Sequence, residues 1–184
     1  VGLYTSPSIF KFHERMQVNG ECISDEELIE ICAQIKEKAD TMESQPSEFE
    51  LVTCIAFEYF KRHRCDIISL EVGLGGEYDA TNTIESPEVA VLTNIGVSHM
   101  ELLGSRENIL KAKLEVCKGM KDDSTLVLNG DNDMLSQENI VRNILSEYGV
   151  TCPNIIYFGT EGNSDYKAEN IHGSNYLLFT RSGE

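Results

Sequence analysis

Apolar positions follow two rhythms along the chain, and the alternation between them predicts its elements. "DIISLEV" (66–72) and "VAVLTNI" (89–95) are continuous apolar runs bounded by Gly, Pro and Asn, the pattern of strands buried on both faces of a parallel sheet. "VGLY" at the start reads as a short buried strand. "ERMQVNGECIS" reads as a hairpin, because Asn19 and Gly20 can both take the positive φ of a tight turn. "ELIEICAQIKEKA" and "LVTCIAFEYFKRH" carry apolar residues at helical spacing, each behind an S-x-x-E capping box, Ser24 with Glu27 and Ser47 with Glu50, and the polar stretch "DTMESQP" separates them. "ENILKAKLEVCKGM" is helical again. "STLVLNG", "ENIVRNILSEYG" and "NIIYFG" continue as strand, helix and strand, and "YKAENIHGSNYLLFTR" alternates like an antiparallel hairpin. Strands alternating with helices predict an α/β fold: a mostly parallel, doubly wound sheet flanked by helices, with a small antiparallel hairpin region near the C-terminus.

In such a sheet ligands gather at the carboxyl ends of the strands. Ser6, Glu71 and Asn94 fall at or just beyond predicted strand ends, and His99 lies in the loop after "VAVLTNI", so these four polar groups are expected on one edge. A carboxylate closing a buried strand costs several kcal/mol if unpaired, so Glu71 calls for a cation, a metal or several donors. A structural salt bridge and a metal site both satisfy that demand. "GLGGEYDA" is not the dinucleotide fingerprint, since G-x-G-x-x-G needs glycine where Tyr78 stands, which argues against a nicotinamide enzyme. Its glycines fit a sharp strand-to-loop turn as well as a phosphate cradle. By composition alone, His99 reads as a loop histidine and Lys113 as a solvated helix lysine.

Composition narrows the setting. The 184 residues are enough for one domain with a core, and 41% hydrophobic with 25% charged residues is ordinary globular composition. A formal charge of -16 argues against nucleic acid as a partner. No apolar stretch approaches the length of a membrane span, so no membrane partner is expected. Six cysteines, none in a C-x-x-C pair, suggest a reducing cytoplasm and argue against zinc. The chain opens on "VGLYTSP" without Met and closes on "TRSGE", which reads as a piece of something longer.

"GLYTSPSIFKFHERMQVNGECIS", "SEFELVTCIAFEYF", "DIISLEVGLGGEYDATNTI" and "TNIGVSHMELLGSRENILKAK" resemble, in order and spacing, successive motifs of folylpolyglutamate synthase and dihydrofolate synthase of the Mur ligase superfamily. The likeness covers residues 1 to about 118. It implies that residues 1–184 form part of a central ATPase domain, without its phosphate loop and without the C-terminal domain. It also implies an ATP-dependent amide ligase that adds L-glutamate to folate or dihydropteroate: the acceptor carboxylate attacks the γ-phosphate of ATP, and the amine then displaces phosphate from the acyl phosphate. By the same resemblance Ser6, Glu71, His99 and Lys113 hold Mg2+, with Lys113 carrying a carbamate formed with carbon dioxide. Glu71, His99 and Lys113 serve catalysis. Ser47, Glu48, Phe49 and Glu50, together with Tyr78, Asp79 and Ala80, lie where dihydropteroate-type substrates bind.

The chain also departs from the family pattern. Ser8 stands for the His of "SPH", Glu77 for the Arg of "GGR", Ser98 for the Asp of "DH", and "AKLE" at 112–115 for "EKAG". Loss of basic residues at 8 and 77 is expected to weaken binding of an anionic folate tail. "GSRENILKAKLEV" and "LVLNGDND" resemble the muramoyl-tripeptide D-alanyl-D-alanine ligase branch as much as the folate branch. No G-x-x-x-x-G-K-[ST] occurs in the 184 residues, so the chain by itself is expected to be inactive. A degenerate relative that binds a ligand or partner without chemistry, or a muramoyl-peptide ligase, are the alternatives.

Overall fold

A computed structural model describes residues 1–97, 100–151, 154–161, 164–172 and 175–180. The chain divides into two compact units: Val1–Leu74 with Tyr78–Thr83, and Gly75–Glu77 with Ile84–Glu184.

The first unit holds strands β1 (Gly2–Tyr4), β2 (Met16–Val18), β3 (Glu21–Cys22) and β4 (Ile68–Leu70), and helices α1 (Asp25–Ala39) and α2 (Glu48–Arg62). The strand order is β3-β2-β1-β4. β1–β2 and β2–β3 pair antiparallel and β1–β4 parallel, with Gly2 opposite Ile68 and Tyr4 opposite Leu70. The β2–β3 turn is the expected one, with Asn19 at φ 53° and Gly20 at φ 87°. The core joins Tyr4, Met16 and Ile23 to Ile31 of α1 and Val52, Ile55, Ala56, Tyr59 and Phe60 of α2. Each large side chain removed from water there contributes roughly 1.5–3 kcal/mol. Both N-caps form, but only the second is reciprocal. Ser47 accepts from the Glu50 amide while Glu50 Oε2 accepts from the Ser47 amide at 2.7 Å. Ser24 accepts from the Glu27 amide, whereas the Glu27 carboxylate has turned to His63 Nε2, 2.9 Å away.

The second unit holds β5 (Val89–Leu92), α3 (Met100–Leu103), α4 (Arg106–Leu114), β6 (Thr125–Asn129), α5 (Glu138–Glu147), β7 (Asn154–Gly159), β8 (Tyr166–His172) and β9 (Asn175–Thr180). Its sheet runs β5-β6-β7-β8-β9. The first three pairings continue parallel into β8, and β8–β9 closes the sheet antiparallel, as the alternating tail predicts. Ala90, Leu92, Leu126 and Leu128 pack with Ile109, Leu110 and Leu114 of α4 and Val141, Ile144 and Leu145 of α5. Cys117 lies in this core, where burial pushes its thiol up to about 12.

The α/β class therefore holds, while two strand expectations do not. β4 and β5 belong to different sheets and each is an edge strand, paired only with β1 and only with β6 among the described residues. Ile67 and Ile68 are exposed, and β5 alternates, with Ala90 and Leu92 buried while Val89 and Val91 are exposed. An unbroken apolar run encodes tolerance of burial on both faces, and only one face of β5 is used.

Candidate functional site

The parallel pairing of β1 with β4 sends both strands out on the same edge of the first unit, and this brings Ser6 to Glu71. The Glu71 amide donates to the Tyr4 carbonyl at 3.0 Å, extending the ladder by one bond. The Ser6 amide then donates to Glu71 Oε2 at 2.7 Å. Glu71 is exposed, so the expectation of a buried charge is corrected: the carboxylate lies one residue past the strand, in solvent, held by a backbone donor. The turn after Ser6 is anchored in the same way. The amides of Ile9, Phe10 and Lys11 all donate to the Glu14 carboxylate. The Ile9 and Phe10 amides, the strongest influences, hold that carboxyl below its ordinary range.

Beside Ser6 and Pro7 lies a cleft of about 330 Å³, walled by Arg15, Phe49, Gly73, Leu74 and Asp79. Gly73 is required by packing: a Cβ there would stand 2.6 Å from Phe49 Cζ and 3.0 Å from Asp79 Oδ2. Asp79 is engaged in fixing the glycine-rich loop. Its Oδ2 accepts from the Leu74 amide at 2.7 Å, and its Oδ1 accepts from the Thr81 amide at 2.9 Å and hydroxyl at 2.5 Å. Arg15 stands with its guanidinium 5.6–5.9 Å from the ring centroids of Tyr4, Phe12 and Phe49. Its Nη2 donates to the Tyr4 hydroxyl at 3.3 Å, and its buried Nε has no acceptor among the described residues.

Of the residues expected to bind substrate, the structure places Phe49 and Asp79 on this cleft. Ser47 and Glu50 are committed to the α2 cap, and the Ser47 hydroxyl and amide hold the Glu50 carboxyl below its usual range. Glu48 and Tyr78 face solvent, and Ala80 is half-buried. Arg15 and Gly73 were not anticipated. The available signal for Arg15 is a lone cation entering an apolar hairpin strand.

In the second unit, Lys113 is half-buried on α4; its carbonyl accepts from the Glu115 amide, and its ammonium has no hydrogen bond or ion pair among the described residues. Asn94 follows β5 and accepts from Asn132 Nδ2 at 2.9 Å. His99 and the substituted Ser98 lie outside the described residues. Ser6 and Glu71 are thus brought together in one unit, while Asn94 and Lys113 belong to the other. Glu77 pairs with Lys118 at 2.7 Å, and its amide donates to Glu115 at 2.9 Å. The Glu77 hydrogen bond raises the Lys118 pKa.

Among the described residues no group of three His, Cys, Asp or Glu side chains could hold a metal ion. The Ser6–Glu71 pair still fits a hard cation. Only Glu71 Oε2 is engaged, by an amide, which leaves Oε1 and the Ser6 hydroxyl as oxygen donors. Mg2+ characteristically takes one or two such protein ligands and fills its octahedron with waters and phosphate oxygens.

The chain belongs to the Mur ligase middle domain family, which it matches over residues 24–180. Within that family it is similar to the dihydrofolate synthase/folylpolyglutamate synthase of Bacillus subtilis (strain 168), 43% identical over 124 residues, 64% of this chain and 29% of that protein. The folylpolyglutamate synthase of Lacticaseibacillus casei is 38% identical over 109 residues, 56% of this chain and 25% of that protein. Among solved structures, an FPGS–AMPPCP–folate complex superposes with a TM-score of 0.79 at 28% identity, covering 99% of this chain and 44% of that one. The apo form of L. casei FPGS gives 0.79 at 26% identity with the same coverage. The chain spans less than a third of the curated relatives just described.

Proposed function

We propose that the complete protein to which this chain belongs is an ATP-dependent amide ligase that adds L-glutamate to a folate or dihydropteroate acceptor in the cytoplasm, and that residues 1–184 are part of its central ATPase domain. The observation that carries the proposal is the Ser6 amide on Glu71 beside a cleft walled by Phe49, in a chain similar to folylpolyglutamate synthases.

In this reading the acceptor carboxylate attacks the γ-phosphate of ATP, releasing ADP. The glutamate amine then attacks the acyl carbon, and phosphate leaves with the bridging oxygen. Ser6 and Glu71 would hold a magnesium ion that offsets phosphate charge; by the family resemblance His99 is a ligand of a second metal ion and Lys113 a metal-linked oxygen donor. Lys113 suits that role as a carbamate, since carbon dioxide adds to the neutral amine with loss of a proton and converts a cation into an anionic oxygen donor. Phe49 provides a flat wall for the acceptor ring, and Asp79 and Gly73 keep the loop in place around it. The 184 residues contain no G-x-x-x-x-G-K-[ST] motif, so the preorganised phosphate donors must come from elsewhere in the protein, and ATP hydrolysis by this chain alone is not expected.

The test is amide formation by the complete protein with ATP and glutamate, offered dihydropteroate, tetrahydrofolate and a muramoyl tripeptide in parallel, the last with D-alanyl-D-alanine. Turnover of a pterin acceptor, lost by about 100-fold or more in Glu71→Ala, is the expected result. Turnover of the muramoyl peptide alone would overturn the folate reading, and turnover of none would favour a non-catalytic relative.

A further inference from the structure

Among the described residues, Arg15 is a cation without an anion. In a chain of net charge -16, no carboxylate lies within ion-pair distance of it among the described residues. The one hydrogen bond of its guanidinium among the described residues is to the Tyr4 hydroxyl, and its Nε is buried without an acceptor there. A buried donor left unmade costs about 1–3 kcal/mol, and three ring contacts recover only part of this. The other charged group on the cleft, Asp79, already accepts three hydrogen bonds from its own loop. Apart from the Ser6 hydroxyl at its edge, the charged donor capacity on the cleft belongs to Arg15. An arginine cannot accept, so whatever it reads must present oxygen or unprotonated nitrogen. Phe49 and Leu74 make the same cleft apolar and flat-walled, which suits a ring and disfavours a hydrated carboxylate chain.

We propose that Arg15 is a specificity-determining residue that donates to a ring-oxo group of the acceptor's flat heteroaromatic ring. This rests on the pterin-acceptor reading above. Arg15 orients the ring against Phe49, and it selects oxo-bearing rings because an analogue without the oxygen leaves the guanidinium as it stands in the empty cleft.

The test compares a pteroate acceptor with an analogue in which hydrogen replaces the ring-oxo group, the carboxylate tail being identical, in the complete protein. The wild type should prefer the oxo compound by roughly 10–100-fold in KM, the range of a hydrogen bond to a charged group. Arg15→Gln should bring that ratio to within about 2-fold, leaving the KM for ATP and for glutamate in place, and Arg15→Lys should fall between. A ratio taken within one preparation does not depend on how much of it is folded, so a destabilised variant still answers. An unchanged ratio in Arg15→Gln would overturn the inference while leaving the folate reading intact. So would a variant that loses discrimination between acceptors of different tail charge but keeps it for the oxo group. Failure of the wild type to use any pterin acceptor would overturn both.

Discussion

Among the described residues, the two units each carry one arginine whose Nε is buried without a partner, Arg15 in the first and Arg106 in the second, and their remaining donors are used very differently. Arg106 grips Asp133 with Nη1 at 2.8 Å and Nη2 at 2.5 Å, and Nη2 also donates to the Ile95 carbonyl at 2.8 Å. It thereby ties the segment after β5 to the loop after β6, and the Asp133 hydrogen bond raises its pKa. Arg15 has one neutral hydroxyl and three ring faces. A guanidinium that finds a carboxylate within its own unit is part of the scaffold. One left among aromatic rings at a cleft is available to a ligand.

The sharpest way to break this comparison is to remove each guanidinium and measure both stability and substrate use. Arg106→Ala should lower the Tm of the complete protein clearly, with acceptor KM changed little. Arg15→Ala should raise acceptor KM by roughly 10–100-fold with the smaller loss of Tm, which comes from its stem packing. If the two effects are exchanged, the assignment of roles is wrong. A smaller effect is expected at Gly73. Alanine there must displace Phe49 or Asp79, an overpacking cost of about 1–3 kcal/mol, seen as a lower denaturation midpoint together with weaker acceptor binding. Unchanged binding in Gly73→Ala would detach Phe49 from the site.

The smallest effect concerns the turn after Ser6. Because the Ile9 and Phe10 amides hold Glu14 below its usual value, the anchoring of the turn is fully present above the unfolded carboxylate pKa. It is lost as pH falls through the lower folded value. The Ile9 and Phe10 amide resonances should therefore titrate together with a midpoint below 4.5. A midpoint at or above that value would mean that the carboxylate does not anchor the turn.

Local chemistry was legible in the sequence where both partners lie within a few residues and no distant group competes for them. The Ser47–Glu50 box, the Asn19–Gly20 turn and the strand-helix-strand order after Ser124 follow from spacing alone. Residues distant in sequence were not legible. Glu27 leaves its expected cap for His63, 36 positions away. The position of Glu71 at a strand end could be read, but its exposure could not, since burial depends on which neighbours flank β4. Arg15 was missed because its environment is assembled from Tyr4, Phe12 and Phe49, and nothing in "FHERMQ" announces that these rings meet there.

The central claim, an amide ligase working through an acyl phosphate, is tested most directly by following oxygen. The complete protein would be given ATP, glutamate and a pteroate acceptor whose carboxylate carries oxygen-18 in both positions, and the released phosphate analysed by mass. Attack of that carboxylate on the γ-phosphate, followed by displacement at the acyl carbon, predicts one labelled oxygen in each phosphate and one retained in the amide. Phosphate without label, formed while amide accumulates, would contradict the account.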